Sequence, residues 1–331
     1  MRWTFVIAIA ILTALLVLNI TRVDSGICQE KQVVLKLGHA VAPEHPYHLG
    51  AMRYSELIAQ RTKNRVKIDV YPSTQLGNER DMVEGLQLGT IDLVVTSTGP
   101  LGGFVPRIFV VDLPFLFRDR EHAYKALDGP IGRELLHAFS AKGIRGLAFW
   151  ENGFRQMTNH VRPIEKPEDL KGIKIRTMEN KVHLSSFRAF GASPTPMAWS
   201  EVYTALQQKT IDAQENPIAI IYFQRIYEVQ KYLALTGHFY SPAPLLMSLK
   251  AFNNLPKNIQ KIMLDTAMDC ATYERTLLRD NEAKQLAEIK AKGMLVTVPN
   301  KKPFQAAAAT VYKEFESQFG KETIDRIIAT Q

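Results

Sequence analysis

A repeated alternation of strand-like and helix-like segments constrains the fold of this 331-residue chain more than any other feature. The strand-like segments are short and rich in branched residues, and segments with apolar residues at helical spacing, such as 48–63 and 78–88, separate them. The strand-like segments lie at 33–39, 66–71, 90–96, 146–150 and 173–176. Strands that alternate with helices predict an α/β fold with a parallel sheet built from βαβ units.

An internal echo indicates two similar lobes. Segments 86–92 and 206–212 both begin with Leu-Gln, both end with Thr-Ile-Asp, and both follow an acidic helix start. We interpret each copy as a helix that leads into the next strand. Two such α/β lobes would form a cleft, and clefts between domains are preferred ligand sites.

The last third of the chain is predicted to be mainly helical. Residues 256–292 contain no proline after Pro256, which fits one long helix or two in tandem, and 304–319 is a further helix. Cys270 falls within the first of these segments. We predict that it is a small buried hydrophobe in a helix.

The first residues are typical of an export signal. Arg2 precedes an uncharged apolar run at 3–20, and polar and small residues follow it. The run is longer than the ~7–15 residues of a usual signal core, so an uncleaved membrane anchor is the alternative to a signal peptide at 1–28. Ile27 is not the small residue that lipidation of Cys28 would require. Both alternatives place the remaining chain outside the cytoplasm, and we predict a periplasmic protein.

The composition is that of a globular protein, with 46% hydrophobic and 22% charged residues. The formal net charge is +8, and removal of 1–28 (Arg2, Arg22 and Asp24, together +1) would leave +7. A basic surface can steer anions toward a cleft. The basic residues are scattered rather than clustered, so we predict no nucleic-acid partner.

A search for catalytic and cofactor motifs gives no match. The sequence has no glycine-rich phosphate loop, no dinucleotide fingerprint and no Gly-x-Ser-x-Gly elbow. Its histidines do not have the spacing of metal ligands, so no metal or cofactor is predicted. His39 ends a predicted strand, where α/β proteins place ligand groups. A hydrogen-bonding or loop histidine is the favoured interpretation, and a metal site with His45 and His48 is the less favoured one.

Two arginines lie near predicted strand ends. Arg176 closes the strand at 173–176, and Arg155 follows the strand that ends at Trp150. A guanidinium presents a rigid fork that matches a carboxylate with two parallel hydrogen bonds. Taken alone, each arginine is better explained as a surface salt-bridge partner, and a ligand-binding role is the alternative.

Two proline-containing connections carry further candidates. Segment 193–200 is stiffened by two prolines, and Ser200 is expected to be the N-cap of the next helix, with Trp199 at the mouth. Trp199 could close over a ligand or pack into the core. Asn216 precedes Pro217 in a turn that could aim its amide at a ligand, although an ordinary helix start fits as well.

These stretches resemble the solute-binding subunits of tripartite ATP-independent periplasmic (TRAP) transporters of the C4-dicarboxylate-binding type. The resemblance covers nearly all of the chain after the export segment. The stretches that carry it are Tyr-Pro-Ser-Thr-Gln-Leu-Gly at 71–77, Leu-Pro-Phe at 113–115, Lys-Ile-Arg at 174–176, Gly-Ala-Ser-Pro-Thr-Pro-Met at 191–197, Ser-Glu-Val-Tyr-Thr-Ala-Leu-Gln at 200–207 and Asp-Ala-Gln-Glu-Asn-Pro at 212–217. Ala213 replaces the glycine that is common in the family, a small departure.

The resemblance implies a two-lobed periplasmic-binding-protein fold with a ligand cleft between the lobes and a long helix that spans both. It implies a first lobe of 29–153 plus about 242–281, and a second lobe of 154–241 plus about 282–331. It also implies the ligand-binding residues: Arg176 would grip a carboxylate, Asn216 and Arg155 would assist, Trp199 would pack on the ligand, and Ser97, His39 and Glu179 fall where family members differ with their ligand.

The resemblance further implies a non-enzymatic receptor that delivers a small organic acid to the small and large membrane subunits of a TRAP transporter. The alternatives are a receptor of the same fold that reports to a membrane sensor, and an enzyme that uses His39 or Glu179. The ligand is expected to be a sugar acid or another hydroxylated acid, with C4-dicarboxylates next. A glutamate that faced a second carboxylate would be unfavourable.

Overall fold

The computed structural model describes residues 32–331, which form one mixed sheet covered by helices. The predicted export segment and Cys28 lie outside the described residues. The strands are β1 Val33–Gly38, β2 Val66–Tyr71, β3 Leu93–Val95, β4 Ile144–Asn159, β5 Lys174–Thr177, β6 Ser193–Pro196, β7 Ala213–Pro217, β8 Tyr232–Ala234, β9 Tyr240–Ser248 and β10 Leu295–Thr297. The helices are α1 Pro46–Arg61, α2 Glu79–Leu88, α3 Arg120–Asp128, α4 Pro130–Ala138, α5 Lys181–Ala189, α6 Trp199–Gln207, α7 Ile218–Phe223, α8 Leu249–Asn254, α9 Lys257–Ala291, α10 Lys301–Phe319 and α11 Lys321–Ile328.

The sheet is mixed rather than purely parallel, which corrects the expectation from the βαβ pattern. Its strand order is β2-β1-β3-β9-β4-β7-β5-β6, with β8 and β10 branching from β4. β1 pairs in parallel with β2 and β3, and β5 pairs in parallel with β6 and β7. The two parallel groups are joined through β9 and β4, which pair antiparallel with each other and with their other neighbours. The βαβ units were therefore predicted correctly, and the joining strands were not.

β4 is the element that connects the two groups of strands. Its first part pairs with β9, and from Arg155 onward it pairs with β7. The change of partner coincides with a register shift at Glu151–Gly153. Gly153 has a φ of 119°, a conformation that favours glycine, and a Cβ there would lie 3.2 Å from the Pro217 Cβ. A bulge at this glycine allows β4 to pair with β9 in its first part and with β7 in its second part.

Residues 256–292 form a single helix, α9, which spans both halves. At 35 residues it is about 52 Å long. Met263 and Cys270 pack into the core under the β1 side of the sheet, whereas Ile289 packs into the core under β8 and α6. Cys270 is fully buried, as predicted. In the described residues, we find no helix with the length and apolar character needed to cross a membrane.

The two copies of the sequence echo fold alike. Asp92 Oδ2 accepts a hydrogen bond from the Lys36 backbone N–H at 2.8 Å, and Asp212 Oδ2 accepts one from the Lys174 backbone N–H at 2.8 Å. In each copy, the aspartate that precedes the strand bonds the backbone of the neighbouring parallel strand, at Lys36 within β1 and at Lys174 at the start of β5. This confirms the interpretation of the echo as two similar α/β units. The lobe boundaries at 153/154, 241/242 and 281/282 stay a prediction.

Candidate functional site

A pocket lies where the carboxyl ends of β1, β3 and β5 meet the starts of α1, α2 and α6. This is the edge at which parallel α/β sheets present their ligand groups. The pocket encloses about 340 Å³ of empty space, part of which is open to solvent. Its wall is formed by Ala40, Val41, Tyr47, Glu79, Ser97, Asn152, Arg176, Met178, Trp199, Asn216 and Ile220.

Arg176 projects from β5 into this wall and is 2% exposed. Its Nε and Nη2 donate to the Met197 carbonyl at 2.9 and 2.6 Å, and these bonds fix the plane of the guanidinium. Within residues 32–331, Nη1 has no hydrogen-bond partner and the side chain forms no ion pair. The structure therefore holds a buried, oriented arginine that has donor capacity left over.

The charge of Arg176 persists in spite of its burial. Burial lowers its pKa to about 10, and the negative charge of Glu215 offsets part of this effect. The side chain is thus cationic at neutral pH. A buried cation without a counter-ion is unfavourable, so an anion in the pocket would relieve a cost that is present in the empty site.

Asn216 and Trp199 flank the arginine. Asn216 Oδ1 accepts from Arg155 Nη2 at 3.0 Å and its Nδ2 donates to Gln214 Oε1 at 2.7 Å, which leaves one amide N–H for a ligand. Trp199 is half-buried, and the centre of its ring lies 5.7 Å from the Arg176 Cζ. Trp199 both lines the pocket and packs on the surrounding core, so the two interpretations from the sequence are compatible.

The local structure around these two residues differs from the expectation. Helix α6 begins at Trp199 with Ala198 as its N-cap, and Ser200 makes no capping hydrogen bond, so the predicted Ser200 cap was wrong. Pairing of β6 with β5 extends the chain up to Pro196, and the helix follows after two residues. The segment at 213–217 is strand β7, not a turn, because it pairs with the second part of β4.

Arg155 does not line the pocket but lies in a buried layer behind Asn216. It was expected beyond a strand that ended at Trp150; instead it lies within β4, which continues to Asn159. Its Nε and Nη2 donate to the two Glu215 carboxylate oxygens at 2.5 and 2.8 Å, and both side chains are fully buried. Burial would raise the pKa of Glu215, but Arg155 and His238 outweigh it and hold the pKa well below its usual range.

The buried layer continues to Asp112. Its carboxylate accepts from Thr98 Oγ1 at 2.6 Å and from Asn180 Nδ2 at 2.7 Å. Burial raises the pKa of Asp112 to about 7. His183 lies between Asp112 and Glu215, with ring nitrogens 3.8 and 3.9 Å from their oxygens, and burial lowers its pKa to about 3. We call Arg155, Glu215, His183, Asp112 and Asn180 the buried polar layer.

The other predicted residues have different positions. Ser97 lines the pocket, and its hydroxyl donates to Glu79 Oε1 at 3.1 Å. Glu179 is exposed and lines an adjoining cavity that shares Arg176 and Trp199 with the pocket. His39 is buried outside the pocket wall; its Nε2 lies 3.0 Å from His48 Nδ1, and burial and His48 lower its pKa to about 3. Of the seven residues predicted, the pocket brings together Arg176, Asn216, Trp199 and Ser97.

Three polar residues of the pocket were missed by the sequence analysis. Glu79 is the first residue of α2, where an acidic side chain is usual for helix stability alone. Tyr47 follows Pro46 at the start of α1, and Asn152 lies in the middle of β4. The only available signal was the position of Glu79 and Tyr47 at helix starts that follow parallel strands. Among the described residues, no group of three or more His, Cys, Asp or Glu side chains could hold a metal ion.

Comparisons with a family model, with known proteins and with solved structures all match this chain to the same kind of protein. The family "Bacterial extracellular solute-binding protein, family 7" (DctP) matches residues 37–318. A solute-binding protein of Verminephrobacter eiseniae is 44% identical over 302 residues, which are 91% of this chain and 90% of that protein.

Two crystal structures resemble the fold over most of both chains. A TRAP periplasmic solute-binding protein from a Polaromonas species, bound to D-erythronate, is 46% identical with a TM-score of 0.89, over 91% of this chain and 99% of that chain. A TRAP periplasmic solute-binding protein from Bordetella bronchispeptica, with density assigned to pantoate, is 42% identical with a TM-score of 0.89, over 91% and 100%. These likenesses confirm the predicted family and its two-lobed α/β fold. The chain belongs to the bacterial extracellular solute-binding protein family 7 and is a TRAP-type transport receptor, not an enzyme.

Proposed function

We propose that this receptor binds the carboxylate of a small organic acid through Arg176 and delivers the acid to the small and large membrane subunits of a TRAP transporter. The observation that carries the proposal is the state of Arg176, a buried cation with a fixed guanidinium plane and no carboxylate partner among the described residues. A ligand carboxylate can supply the missing counter-ion and accept from the guanidinium.

The neighbouring residues complete a carboxylate site. The spare N–H of Asn216 can donate to a ligand oxygen, and the Trp199 ring can cover the ligand beside Arg176. Arg155 holds the Asn216 amide in place, so we assign it a positioning role behind the ligand. His39 contacts His48 in α1 and lies outside the pocket wall, and Glu179 lies in the adjoining cavity, where it can affect ligand entry.

The proposed ligand is a sugar acid or another hydroxylated acid. The pocket wall carries several groups that can form hydrogen bonds with hydroxyls, among them Ser97, Tyr47 and Asn152. Two similar receptors were crystallised, one bound to D-erythronate and one with density assigned to pantoate. Enclosure of the ligand by both halves of the sheet would favour a closed form, which the periplasmic face of the membrane subunits could recognise.

A thermal-shift screen tests the proposal. The protein is purified from the periplasm, and acid carried through purification is removed by unfolding and dialysis. A panel of hydroxylated monocarboxylates, uronates, keto acids and dicarboxylates is then added. An acid at about 100 times its Kd should stabilise the receptor by ~2.7 kcal/mol.

Arg176→Lys provides the decisive comparison. One point charge replaces a fork of aligned donors, so we expect affinity to fall at least about tenfold. Arg188→Lys on the exposed face of α5 is the matched control and should bind like the wild type. If the folded Arg176→Lys variant retains wild-type affinity, Arg176 does not hold the carboxylate.

A further inference from the structure

We infer that Glu79 makes this receptor select hydroxylated monocarboxylates and reject dicarboxylates. The inference rests on the proposed function, because it takes Arg176 as the site of the first carboxylate. It assigns Glu79 a role in specificity and decides between the two ligand classes that the sequence left open.

The first argument for this selectivity comes from the charged side chains of the pocket wall. Arg176 and Glu79 are the charged side chains that line the pocket. The second arginine, Arg155, does not line the pocket. Its Nε and Nη2 donate to Glu215 in the buried polar layer, and its buried Nη1 has no hydrogen-bond partner among residues 32–331. The wall thus offers one cation for one carboxylate. A second carboxylate would enter a small pocket that contains the carboxylate of Glu79, and like charges in a partly desolvated site repel.

The hydrogen bonds of Glu79 carry the second step. Its Oε1 accepts from Thr96 Oγ1 at 2.7 Å, from Ser97 Oγ at 3.1 Å and from the Ser97 backbone N–H at 3.3 Å. These donors hold the carboxylate against the end of β3. Among the residues described, none donates to Oε2. Glu79 therefore presents a fixed, vacant acceptor, which a ligand O–H can fill and a ligand carboxylate cannot.

Two buried polar atoms carry the third step. The Tyr47 hydroxyl and Asn152 Oδ1 have no hydrogen-bond partner within residues 32–331, although both side chains are more than nine-tenths buried. Both residues line the pocket. Buried polar groups are nearly always paired, so these atoms point to a ligand that bonds them. Burial raises the pKa of Tyr47 well above its usual value, so it remains a neutral hydroxyl that can donate or accept.

The pocket thus has one guanidinium and three further atoms that can form hydrogen bonds with a ligand. Glu79 Oε2 and Asn152 Oδ1 are acceptors, and the Tyr47 hydroxyl can donate or accept. The complementary ligand has one carboxylate at one end and hydroxyl groups along the rest of its chain. A polyhydroxy monocarboxylate has this pattern of one anionic end and several donors. A site built to bond hydroxyls discriminates strongly, because an analogue without them leaves its buried groups unpaired.

Matched pairs of acids test the inference. Erythronate and meso-tartrate differ only at carbon 4, which is a CH₂OH group in the first and a carboxylate in the second; gluconate and glucarate form a six-carbon pair. Affinities are measured by calorimetry on the periplasmic protein freed of carried-through acid. For the pair that binds better, we expect the wild type to prefer the monocarboxylate at least about tenfold. In Glu79→Gln, which keeps the acceptor toward Thr96 and Ser97, this preference should fall at least about tenfold.

Glu84→Gln is the matched control, because Glu84 lies on the same helix but pairs with Arg80 at the surface. It should leave the preference unchanged. The inference is overturned if the wild type binds the dicarboxylate of a pair as tightly as the monocarboxylate, or if Glu79→Gln keeps the wild-type preference. In that case, if Arg176→Lys still abolishes binding, the carboxylate site at Arg176 is confirmed and only the selectivity assigned to Glu79 is wrong. If neither acid of any pair binds but another acid of the thermal-shift panel does, the inference is overturned and the proposed function stands. If no acid of that panel binds, the proposed function fails as well.

Discussion

The pocket wall around Arg176 and the buried polar layer around Arg155 use the same side chain in opposite ways. Both arginines are almost fully buried. Arg155 has both oxygens of Glu215 as partners, whereas Arg176 donates to a single backbone carbonyl and has no anion among the described residues. Arg155 thus has a carboxylate partner within the protein, although its buried Nη1 has no hydrogen-bond partner among residues 32–331, whereas Arg176 has no carboxylate partner there.

Under the proposed function, this difference separates the ligand-binding arginine from the arginine that supports it. The charge of Arg155 is balanced by Glu215 within the protein, and removal of either partner would leave a buried, uncompensated charge. An arginine that is buried without a counter-ion has an unfavourable desolvation energy. A bound anion reduces this energy, and the reduction contributes to the binding affinity. The buried polar layer meets the pocket at one side chain, Asn216, which accepts from Arg155 and lines the pocket.

The largest expected effect is on the stability of the buried polar layer. Arg155→Met would leave the Glu215 carboxylate buried without its main partner, and we expect the free energy of unfolding to fall by about 3–5 kcal/mol. Urea unfolding of the ligand-free protein measures this. Adding Glu215→Gln removes the stranded charge and should recover a large part of the loss. Wild-type stability in the single variant would mean that the ion pair is not structural.

The pH dependence of stability should also come from the buried polar layer. Burial raises the pKa of Asp112 from 3.8 to about 7, so between these values the folded protein binds a proton that the unfolded chain does not. This carboxyl therefore stabilises the fold as pH falls below 7 and costs stability as pH rises from about 4 to 7.

Asp112→Asn mimics the protonated form and can still accept from Asn180. Relative to the wild type, the variant should gain on the order of 2–4 kcal/mol in unfolding free energy as pH is raised through this window. Its ligand affinity at neutral pH should not change. If the difference between variant and wild type is constant from about pH 4 to 7.5, Asp112 does not titrate in this range.

The smallest effect is expected at the pocket wall beside Arg176. Trp199→Phe keeps a ring near the guanidinium but removes part of the ring surface that we propose covers the ligand. Affinity should fall roughly two- to fivefold, with little change in stability. Trp150→Phe is the contrasting variant, since Trp150 donates to the Ala267 carbonyl in the core; it should lower stability and spare affinity. The reverse result would place Trp199 in the core and not at the ligand.

The sequence predicted part of the fold and one of the two arginine environments. The strand and helix periods, about 2.0 and 3.6 residues, depend on local burial, so they indicated β1, β2, β3, the first part of β4, β5 and the helical segment of α9. Strands β6, β8, β9 and β10 were not predicted, and the segment of β7 was interpreted as a turn. Arg176 was found because its strand ends at the edge where ligands bind. Arg155 has the same local features, and only the pairing of β4 with β7, which brings Glu215 beside it, shows that it is occupied. Such pairing is not encoded in any local pattern.

Glu79 is a pocket residue that the sequence analysis did not identify. An acidic residue in the first turn of a helix has a sufficient local explanation in the helix dipole, so nothing marked it as a pocket residue. Its role depends on Thr96 and Ser97, which lie 17 and 18 residues further along the chain and meet it only in the fold. Residues with an adequate local explanation are the ones that sequence analysis passes over.

The most direct test of the account compares the same substitution at both arginines. Arg155→Met and Arg176→Met are prepared side by side, and both the unfolding free energy without ligand and the affinity for the acid found in the screen are measured. We predict that Arg176→Met changes stability by no more than about 1 kcal/mol and abolishes detectable binding, whereas Arg155→Met loses about 3–5 kcal/mol of stability. If Arg176→Met destabilises the protein as much as Arg155→Met does and still binds the acid, Arg176 is a structural residue and the proposed carboxylate site is wrong.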